Sequence, residues 1–300
     1  MLSTILVPLD GSPFSELALE RAAAIARRSG AHLDLIRVMP VAYRATHSQG
    51  ISPSYSVLDT DLRHATTEQL DQTAARLTAA GLSVSHALFE GEVVPQIPAR
   101  VAERRVGLVV LATHGHTGWR RALLGSVAAE LVRECPAAVL AVRAADPDAP
   151  VTTVASDPVV LPFDGSERDT DALELARMVA ELLPAELVLL NVIAPVILPD
   201  RADVAAVDRV ALRNQRASAE QYLERMAEQL RTSSIAVSVH TVPDDDPAQG
   251  IRRVATRTNA QLIAMVTRAR GGSHLWSPGS VADRVLRDGD RDVLLVRSRV

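Results

Sequence analysis

The sequence has 300 residues, enough for two domains of ordinary size, and its apolar residues (47%) are mainly aliphatic because only 3% of the chain is aromatic. The net charge is −4 and the sequence has no basic block, which argues against a nucleic-acid partner. All 32 basic residues are arginine, which excludes chemistry that needs lysine in a P-loop or a Schiff base. One cysteine, no N-terminal apolar h-region and no 18-residue apolar run predict a cytoplasmic protein with no internal disulfide and no membrane partner.

Strand and helix patterns alternate along the first half of the chain. The strand patterns cover Thr4–Leu9, His32–Met39, Ser83–Phe89, Val106–Ala112 and Ala137–Arg143, and the helix patterns cover Ser15–Ser29, Asp61–Ala80, Pro95–Arg105 and Val127–Glu134. Residues Val41–Thr60 contain Pro53, several serines and two tyrosines without periodicity, so they predict a long loop. Cys135 stands before Pro136 and an apolar strand, which predicts a buried, inert thiol.

The second half shows the same alternation. Its strand patterns cover Val159–Phe163, Glu186–Ile193, Ile235–Val242, Gln261–Thr267 and Asp292–Arg297, and its helix patterns cover Asp169–Leu183, Asp208–Arg231, Ala248–Thr258 and Val281–Arg287. Residues Val196–Val207 predict a shorter loop at the place where the two halves differ most.

Three segments of the first half recur in the second half 154 residues later. They are Val-Pro-Leu-Asp-Gly-Ser at 7–12 (Leu-Pro-Phe-Asp-Gly-Ser at 161–166), Gly-Ser-Val-Ala at 125–128 (279–282) and Val-Leu-Ala-Val-Arg at 139–143 (Val-Leu-Leu-Val-Arg at 293–297). Because all three keep one offset, and because this period is far longer than that of a solenoid, we infer two copies of one globular domain.

The order of elements predicts an α/β fold for each copy. Alternating strands and helices favour a doubly wound, Rossmann-like sheet of five mainly parallel strands with about four helices, built on aliphatic residues. The acidic, proline-containing stretch after residue 145 predicts a linker at 146–157, so the two domains are expected at 1–145 and 158–300.

Two aspartates stand where ligands bind in such sheets. Asp10 and Asp164 each follow the first strand of a copy and precede Gly-Ser and a helix, and open α/β sheets bind ligands at the carboxyl ends of their strands. The alternative is that these residues only form a turn. Ser12 with Pro13 predicts a helix cap, and Ser166 with Asp169 resembles a capping box.

The segment after the fourth strand contains a second candidate. Gly115 allows close approach of the backbone to a ligand, and Gly125-Ser126 opens a helix whose free N–H groups and dipole favour an anion. Glycine spacing alone is weak evidence, and a simple connection capped by Ser126 is the competing interpretation.

A histidine pair in that segment, His114 and His116, could suggest a metal site. The equivalent residues of the second copy are Arg268 and Arg270, which are not metal ligands, so the pattern favours a loop that takes positive charge. No serine, histidine and acid in compatible places suggest a hydrolytic triad, although separation along the chain does not exclude one.

Together these motifs resemble the universal stress protein family in its tandem two-domain form. Pro-Leu-Asp-Gly-Ser after the first strand, Ala-Thr-His-Gly after the fourth and Leu-Leu-Gly-Ser-Val-Ala before the last helix carry the resemblance, which spans both halves. Members that bind ATP have Gly, two residues, Gly, nine residues, then Gly with Ser or Thr. Gly115 and Gly125-Ser126 match this pattern, whereas Ala112 replaces the first glycine.

The resemblance implies a set of nucleotide contacts in each copy. In the first copy, Pro8, Asp10 and the backbone near Val38 would hold adenine and ribose, and the residues that would hold phosphates are Gly115, His116, Gly125, Ser126 and Val127. The second copy keeps Pro162, Asp164, Val192, Gly279, Ser280 and Val281, but Val266 and Ala269 replace the two leading glycines. If that position needs a positive φ, alanine costs about 1 kcal/mol or more, which Arg268 and Arg270 could offset through bonds to phosphate.

The resulting hypothesis is an ATP-binding protein of stress response or signalling, with Mg²⁺ or Mn²⁺ on the phosphates. By the same resemblance its domains would pair through their last strands as an intramolecular pseudo-dimer, or two chains would form a homodimer. The alternative is an interaction protein of the same fold that binds no nucleotide and acts through its surface or dimer edge. Slow ATP hydrolysis lacks an obvious base in the sequence.

Overall fold

The computed structural model describes residues 2–39, 53–113, 125–143, 157–194, 204–231, 235–267 and 280–298. The chain divides into two compact units, Met1–Val151 (unit 1) and Thr152–Val300 (unit 2). Within the described residues, no helix is both long enough and apolar enough to span a membrane. The predicted linker lies almost wholly outside the described residues.

Unit 1 is a five-stranded parallel sheet with helices between consecutive strands, as predicted. Its elements are β1 (Thr4–Pro8), α1 (Pro13–Ser29), β2 (His32–Met39), α2 (Pro53–Ala79), β3 (Val84–Glu90), α3 (Val93–Arg104), β4 (Leu108–Ala112), α4 (Ser126–Glu134) and β5 (Ala138–Val142). The strand order is β3-β2-β1-β4-β5. β1 therefore lies between β2 and β4, and the direction of winding reverses there.

Unit 2 repeats this topology. Its elements are β6 (Val159–Pro162), α5 (Asp169–Leu182), β7 (Leu187–Ile193), α6 (Val204–Glu228), β8 (Val237–Pro243), α7 (Pro247–Arg257), β9 (Leu262–Thr267), α8 (Val281–Asp288) and β10 (Asp292–Arg297). The strand order is β8-β7-β6-β9-β10, and every neighbouring pair is parallel. The two-domain α/β fold expected from the repeat is confirmed.

Aliphatic residues build both cores. The central strands are fully enclosed, for example at Ile5 and Leu6 in β1 and at Val159 and Val160 in β6, each 0% exposed. Such continuous apolar strands are typical of a parallel sheet covered by helices on both faces. Cys135 is also buried (2% exposed), as expected.

Two helices begin inside segments that the sequence predicted to be loops. α2 starts at Pro53, inside the predicted loop Val41–Thr60, and α6 starts at Val204, inside the predicted loop Val196–Val207. The predictions relied on apolar periodicity, which the sequence lacks over Val41–Thr60. Proline at a first helical position, as at Pro53, indicates a helix start that this criterion overlooks.

The offset between the copies is not constant. Leu33 of β2 pairs with Val84, whereas its counterpart Leu187 pairs with Val237, so β3 and β8 are related by 153 residues and not by 154. The buried faces of α2 and α6 agree, because Leu70 and Leu223 are equivalent at the same offset of 153. One residue is therefore missing from unit 2 between β7 and α6.

Candidate functional site

The carboxyl ends of the two central strands carry the first predicted site residues. Pro8 ends β1 opposite Ile36, and Pro162 ends β6 opposite Leu190. After each proline the chain makes one more bond to the neighbouring strand, from Leu9 N to Ile36 O (2.7 Å) and from Phe163 N to Leu190 O (2.8 Å). The next residues, Asp10 and Asp164, are exposed at this edge.

In unit 1 the turn after β1 is organised by Asp10. Its Oδ1 accepts hydrogen bonds from Ser12 N (2.9 Å) and from Ser12 Oγ (2.6 Å). Gly11 has a φ of +79°, which favours glycine, and turns the chain into α1. Ser12 caps α1 by accepting from Ser15 N, with Pro13 in the first turn, so the predicted cap is confirmed.

Arg37 of β2 lies over this turn, although nothing in the sequence pattern singles it out. A Cβ atom on Gly11 would stand only 2.8 Å from Nη1 of Arg37. The same Nη1 donates to Gln69 Oε1 of α2 at 2.9 Å. A cationic side chain therefore borders the candidate site of unit 1, next to the turn that Asp10 organises.

The corresponding turn of unit 2 is held differently. Arg168 Nη2 donates to Asp164 Oδ2, and Ser166 N donates to Asp164 Oδ1 at 3.1 Å. The predicted capping box of Ser166 and Asp169 is wrong, because α5 begins at Asp169 and its carboxylate accepts instead from Gly165 N (2.8 Å) and Asp164 N (3.3 Å). The extra turn at Glu167 and Arg168 separates the serine from the helix end.

Asp169 also joins this turn to α6. Tyr222 donates its hydroxyl proton to Asp169 Oδ2 at 2.8 Å. Burial raises the pKa of the Asp169 carboxyl, and the bonds from Tyr222 and the two backbone N–H groups oppose that rise. Burial and the bond to Asp169 raise the pKa of the Tyr222 hydroxyl.

The start of α4 forms the other border of the unit 1 site. Gly125 N donates to Thr113 O at 2.9 Å, which holds the helix start against the end of β4. The N-cap is Gly125, without a side-chain cap, so the alternative in which Ser126 caps the helix is wrong. The first intrahelical bond runs from Ala129 N to Gly125 O, so three N–H groups, of Ser126, Val127 and Ala128, precede the helical ladder.

Unit 2 differs at the equivalent helix. Ser280 is the N-cap of α8 and its Oγ accepts from Asp283 N at 3.2 Å. Asp283 also introduces a carboxylate into the first turn, which Arg287 Nε binds at 2.8 Å. Val281 is the first helical residue. The start of α8 is therefore less suited to an anion than the start of α4.

The remaining predicted contacts divide into two groups. Val38 pairs with Phe89, Ala112 ends β4, and the Val192 side chain faces α7, where a Cβ atom on Gly250 would be 2.8 Å from its Cγ1. Only the backbone of Val192 is thus left for a ligand on the opposite face. The others lie outside the described residues: His114, Gly115, His116, Arg268, Ala269, Arg270 and Gly279.

An open cleft of about 520 Å³ lies at the carboxyl end of β7 in unit 2. Its polar lining consists of Asp164 and Asn191 at the sheet edge and of Asn214, Gln215 and Ser218 on α6. The α6 residues lie within the predicted helix Asp208–Arg231, but the sequence carried no sign that they face Asp164. Volumes of this size are ordinary for small-molecule sites.

A serine, a histidine and an acid do meet in unit 1, at the start of β2. His32 Nδ1 and Nε2 lie 2.8 Å and 2.7 Å from the hydroxyls of Ser83 and Ser85, and Ser85 Oγ donates to Asp34 Oδ1 at 2.9 Å. Asp34 does not contact the histidine, which a hydrolytic triad requires. It binds Arg100 instead, and that bond raises the pKa of the Arg100 guanidinium.

The sequence model of the universal stress protein family matches residues 1–143 and 156–297. Universal stress protein Rv1996 of Mycobacterium tuberculosis (strain ATCC 25618 / H37Rv) is 29% identical over 316 residues, covering 98% of this chain and 94% of that protein. Universal stress protein MJ0531 of Methanocaldococcus jannaschii is 28% identical over 140 residues, covering 46% of this chain and 81% of that protein.

Solved structures support the same fold. A universal stress protein from Archaeoglobus fulgidus has a TM-score of 0.68 at 20% identity and covers 98% of each chain. PA1789 from Pseudomonas aeruginosa PAO1, described as functionally unknown, has a TM-score of 0.67 at 21% identity, covering 99% of this chain and 93% of its own. At these identities the likeness concerns the fold alone.

Proposed function

The chain belongs to the universal stress protein family, and from this premise we propose that it binds ATP at the carboxyl edge of the unit 1 sheet and acts in stress response or signalling in the cytoplasm. Unit 2 is a second, weaker site for the same nucleotide. Pairing of the domains, or of two chains, through their last strands stays a prediction.

One feature of unit 1 carries this proposal. The Asp10 carboxylate follows β1, and the start of α4 follows the neighbouring strand β4, fixed there by the bond from Gly125 N to Thr113 O. A carboxylate can accept bonds from ribose hydroxyls, and N–H groups at a helix start with the positive end of its dipole stabilise phosphate. Both ends of a nucleotide therefore find suitable partners at one reversal point of the sheet.

The phosphates would be bound without lysine. The N–H groups of Ser126 and Val127 are aligned along the axis of α4, and both residues are exposed. Arg37 adds a guanidinium near the Asp10 turn. A divalent cation would be carried by the phosphates, since the described residues include no group of three His, Cys, Asp or Glu side chains that could hold one.

Calorimetric titration of ligand-stripped protein with ATP and Mg²⁺ tests the proposal. We expect Asp10→Ala to weaken binding by about 10-fold or more, because a hydrogen bond to a charged group is worth roughly 1.5–3 kcal/mol. Glu20→Ala, which removes another exposed carboxylate of unit 1, is the matched control and should leave binding unchanged. If the wild-type protein binds no ATP, the interaction-protein alternative replaces the proposal.

A further inference from the structure

The cleft of unit 2 has a chemical character that unit 1 does not share. Three polar side chains of α6 line it, Asn214, Gln215 and Ser218, and all three are exposed. In an α-helix, residues separated by three and four positions lie on one face, so Asn214 and Gln215 stand one turn before Ser218. Two primary amides and a hydroxyl are thus directed at the space beside Asp164.

The equivalent residues of α2 are of another kind. At the offset of 153 that relates the buried faces of the two helices, Asn214 corresponds to Asp61, Gln215 to Leu62 and Ser218 to Ala65. Leu62 is 57% exposed. The amide pair is therefore a feature of unit 2 and not of the repeated fold.

The sheet edge also carries different residues in the two units. Asn191, on the wall opposite α6, corresponds to Arg37 of unit 1, and its Nδ2 donates to Phe163 O at 2.8 Å. Asp164 is the one charged residue among the described residues that line the cleft, and Arg168 pairs with it. The cleft therefore offers neutral donors and acceptors, where unit 1 presents a guanidinium.

Primary amides recognise a particular edge of a heterocycle. Asn and Gln present a donor and an acceptor side by side, which pair with the amino group and neighbouring ring nitrogen of adenine. The adjoining carboxylate of Asp164 can accept from sugar hydroxyls while it keeps its bond to Arg168, because a carboxylate has about four acceptor positions.

We propose that Asn214 and Gln215 read the base in the unit 2 cleft, so that this cleft also binds an aminopurine nucleoside that carries no phosphate. Unit 2 then recognises the base and sugar, while unit 1 gains its affinity from phosphate. This inference rests on the proposed function only in taking an adenine compound as the ligand.

The probe is adenosine, titrated calorimetrically into the full-length Asp10→Ala variant, in which the unit 1 site is weakened. We expect binding that is insensitive to salt, because the ligand is neutral. Asn214→Ala with Gln215→Ala should weaken it by about 10-fold or more, since two hydrogen bonds are lost. Alanine favours helix, so this variant should retain its thermal unfolding midpoint.

Gln221→Ala provides the matched control, because it removes an exposed amide of α6 that does not line the cleft. Adenosine affinity should be unchanged in this variant. Three results would overturn the inference: no binding of adenosine, an equal loss of adenosine affinity in Gln221→Ala, or full adenosine affinity in the Asn214→Ala, Gln215→Ala double variant. In each of those cases the proposed function still stands if the wild-type protein binds ATP and Asp10→Ala weakens that binding. Conversely, amide-dependent adenosine binding without any ATP binding would support the inference alone.

Discussion

Arg100 donates two hydrogen bonds to Asp34 inside unit 1, from Nε to Oδ2 at 2.7 Å and from Nη2 to Oδ1 at 3.1 Å. Both residues are buried, at 7% and 0% exposure. Their counterparts in unit 2, at the offset of 154, are Val254 and Val188, exposed 0% and 1%. One place in the repeated fold thus holds a buried ion pair in one copy and two valines in the other.

The two copies predict the result of a double-mutant cycle. We expect Arg100→Val alone to destabilise unit 1 by about 3–5 kcal/mol, because it leaves the buried Asp34 carboxylate without its ion-pair partner. Asp34→Val alone should cost less, because Arg100 keeps its hydrogen bonds to Glu103. The double variant should lie within about 1 kcal/mol of the wild type, since a valine pair fits this site in unit 2. Native-state hydrogen exchange of β2 amides measures the free energy of opening. A double variant as unstable as the two single variants combined would contradict the expectation.

The valine pair of unit 2 leaves a neighbouring serine without a hydrogen-bond partner. Ser85 pairs with Asp34 across β2 and β3 and donates to its carboxylate at 2.9 Å. The equivalent serine, Ser238, pairs with Val188, and its shielded Oγ has no hydrogen-bond partner among the described residues. A buried hydroxyl without a partner costs about 1–3 kcal/mol.

The same substitution should therefore have opposite effects in the two units. We expect Ser238→Ala to stabilise unit 2 by about 1 kcal/mol and Ser85→Ala to destabilise unit 1 by a similar amount, because only Ser85 has a bond to lose. Hydrogen exchange of β8 and of β3 amides reports the two changes separately. Destabilisation by Ser238→Ala would show that its hydroxyl is bonded in solution.

The bond from Tyr222 to Asp169 makes a prediction about titration. Because this bond lowers the pKa of Asp169 against the larger effect of burial, Tyr222→Phe should raise that pKa further. Carbon NMR of the Asp169 carboxyl as a function of pH measures the midpoint. A midpoint that stays in place or falls in the variant would refute the assignment.

The raised pKa of Asp169 fixes the sign of the pH dependence of the stability of unit 2. A carboxyl whose folded pKa lies above its unfolded value of about 3.9 binds more protons when folded, so its contribution to stability falls as pH rises from the unfolded pKa through the folded pKa. We expect Asp169→Asn to remove this downward slope from the stability of unit 2. Urea unfolding at a series of pH values checks the slope, and an unchanged slope would exclude Asp169 as its source.

Local signals explain what the sequence could predict. Asp10 and Asp164 were located because turn residues after an apolar strand reveal the strand end, and the capping pair Ser12-Pro13 is read from adjacent residues. Contacts between elements that are distant along the chain leave no such local pattern. Arg37 of β2 lies beside Gly11 in the turn after β1, and Tyr222 donates to Asp169 from a helix 53 residues later in the chain.

The two copies differ by one residue in length before α6, and this difference also kept the sequence from indicating the cleft residues Asn214 and Gln215. With a constant offset of 154, Gln215 would be compared with Asp61, whereas the buried faces of the helices match it to Leu62. A contrast between an amide and an exposed leucine becomes visible only after the helices are placed on the sheet. The start of α4 is a similar case, since the cap at Gly125 depends on its bond to Thr113 O.

The starts of α4 and α8 predict that unit 1 binds ATP more tightly than unit 2. Asp283 places a carboxylate in the first turn of α8, where a bound phosphate is repelled, and its counterpart in unit 1 is Ala129. We therefore expect Asp283→Ala to strengthen ATP binding to unit 2 by about 2- to 5-fold, the effect of roughly 0.3–1 kcal/mol of helix-end electrostatics. A calorimetric titration of the wild-type protein should show two classes of site, and Asp283→Ala should bring their affinities closer together. Arg287→Ala is the control, because it removes the partner of Asp283 and leaves the repulsive carboxylate in place, so it should not strengthen the second class. Two equal sites in the wild-type protein, unaffected by either substitution, would show that the helix start does not set the affinity.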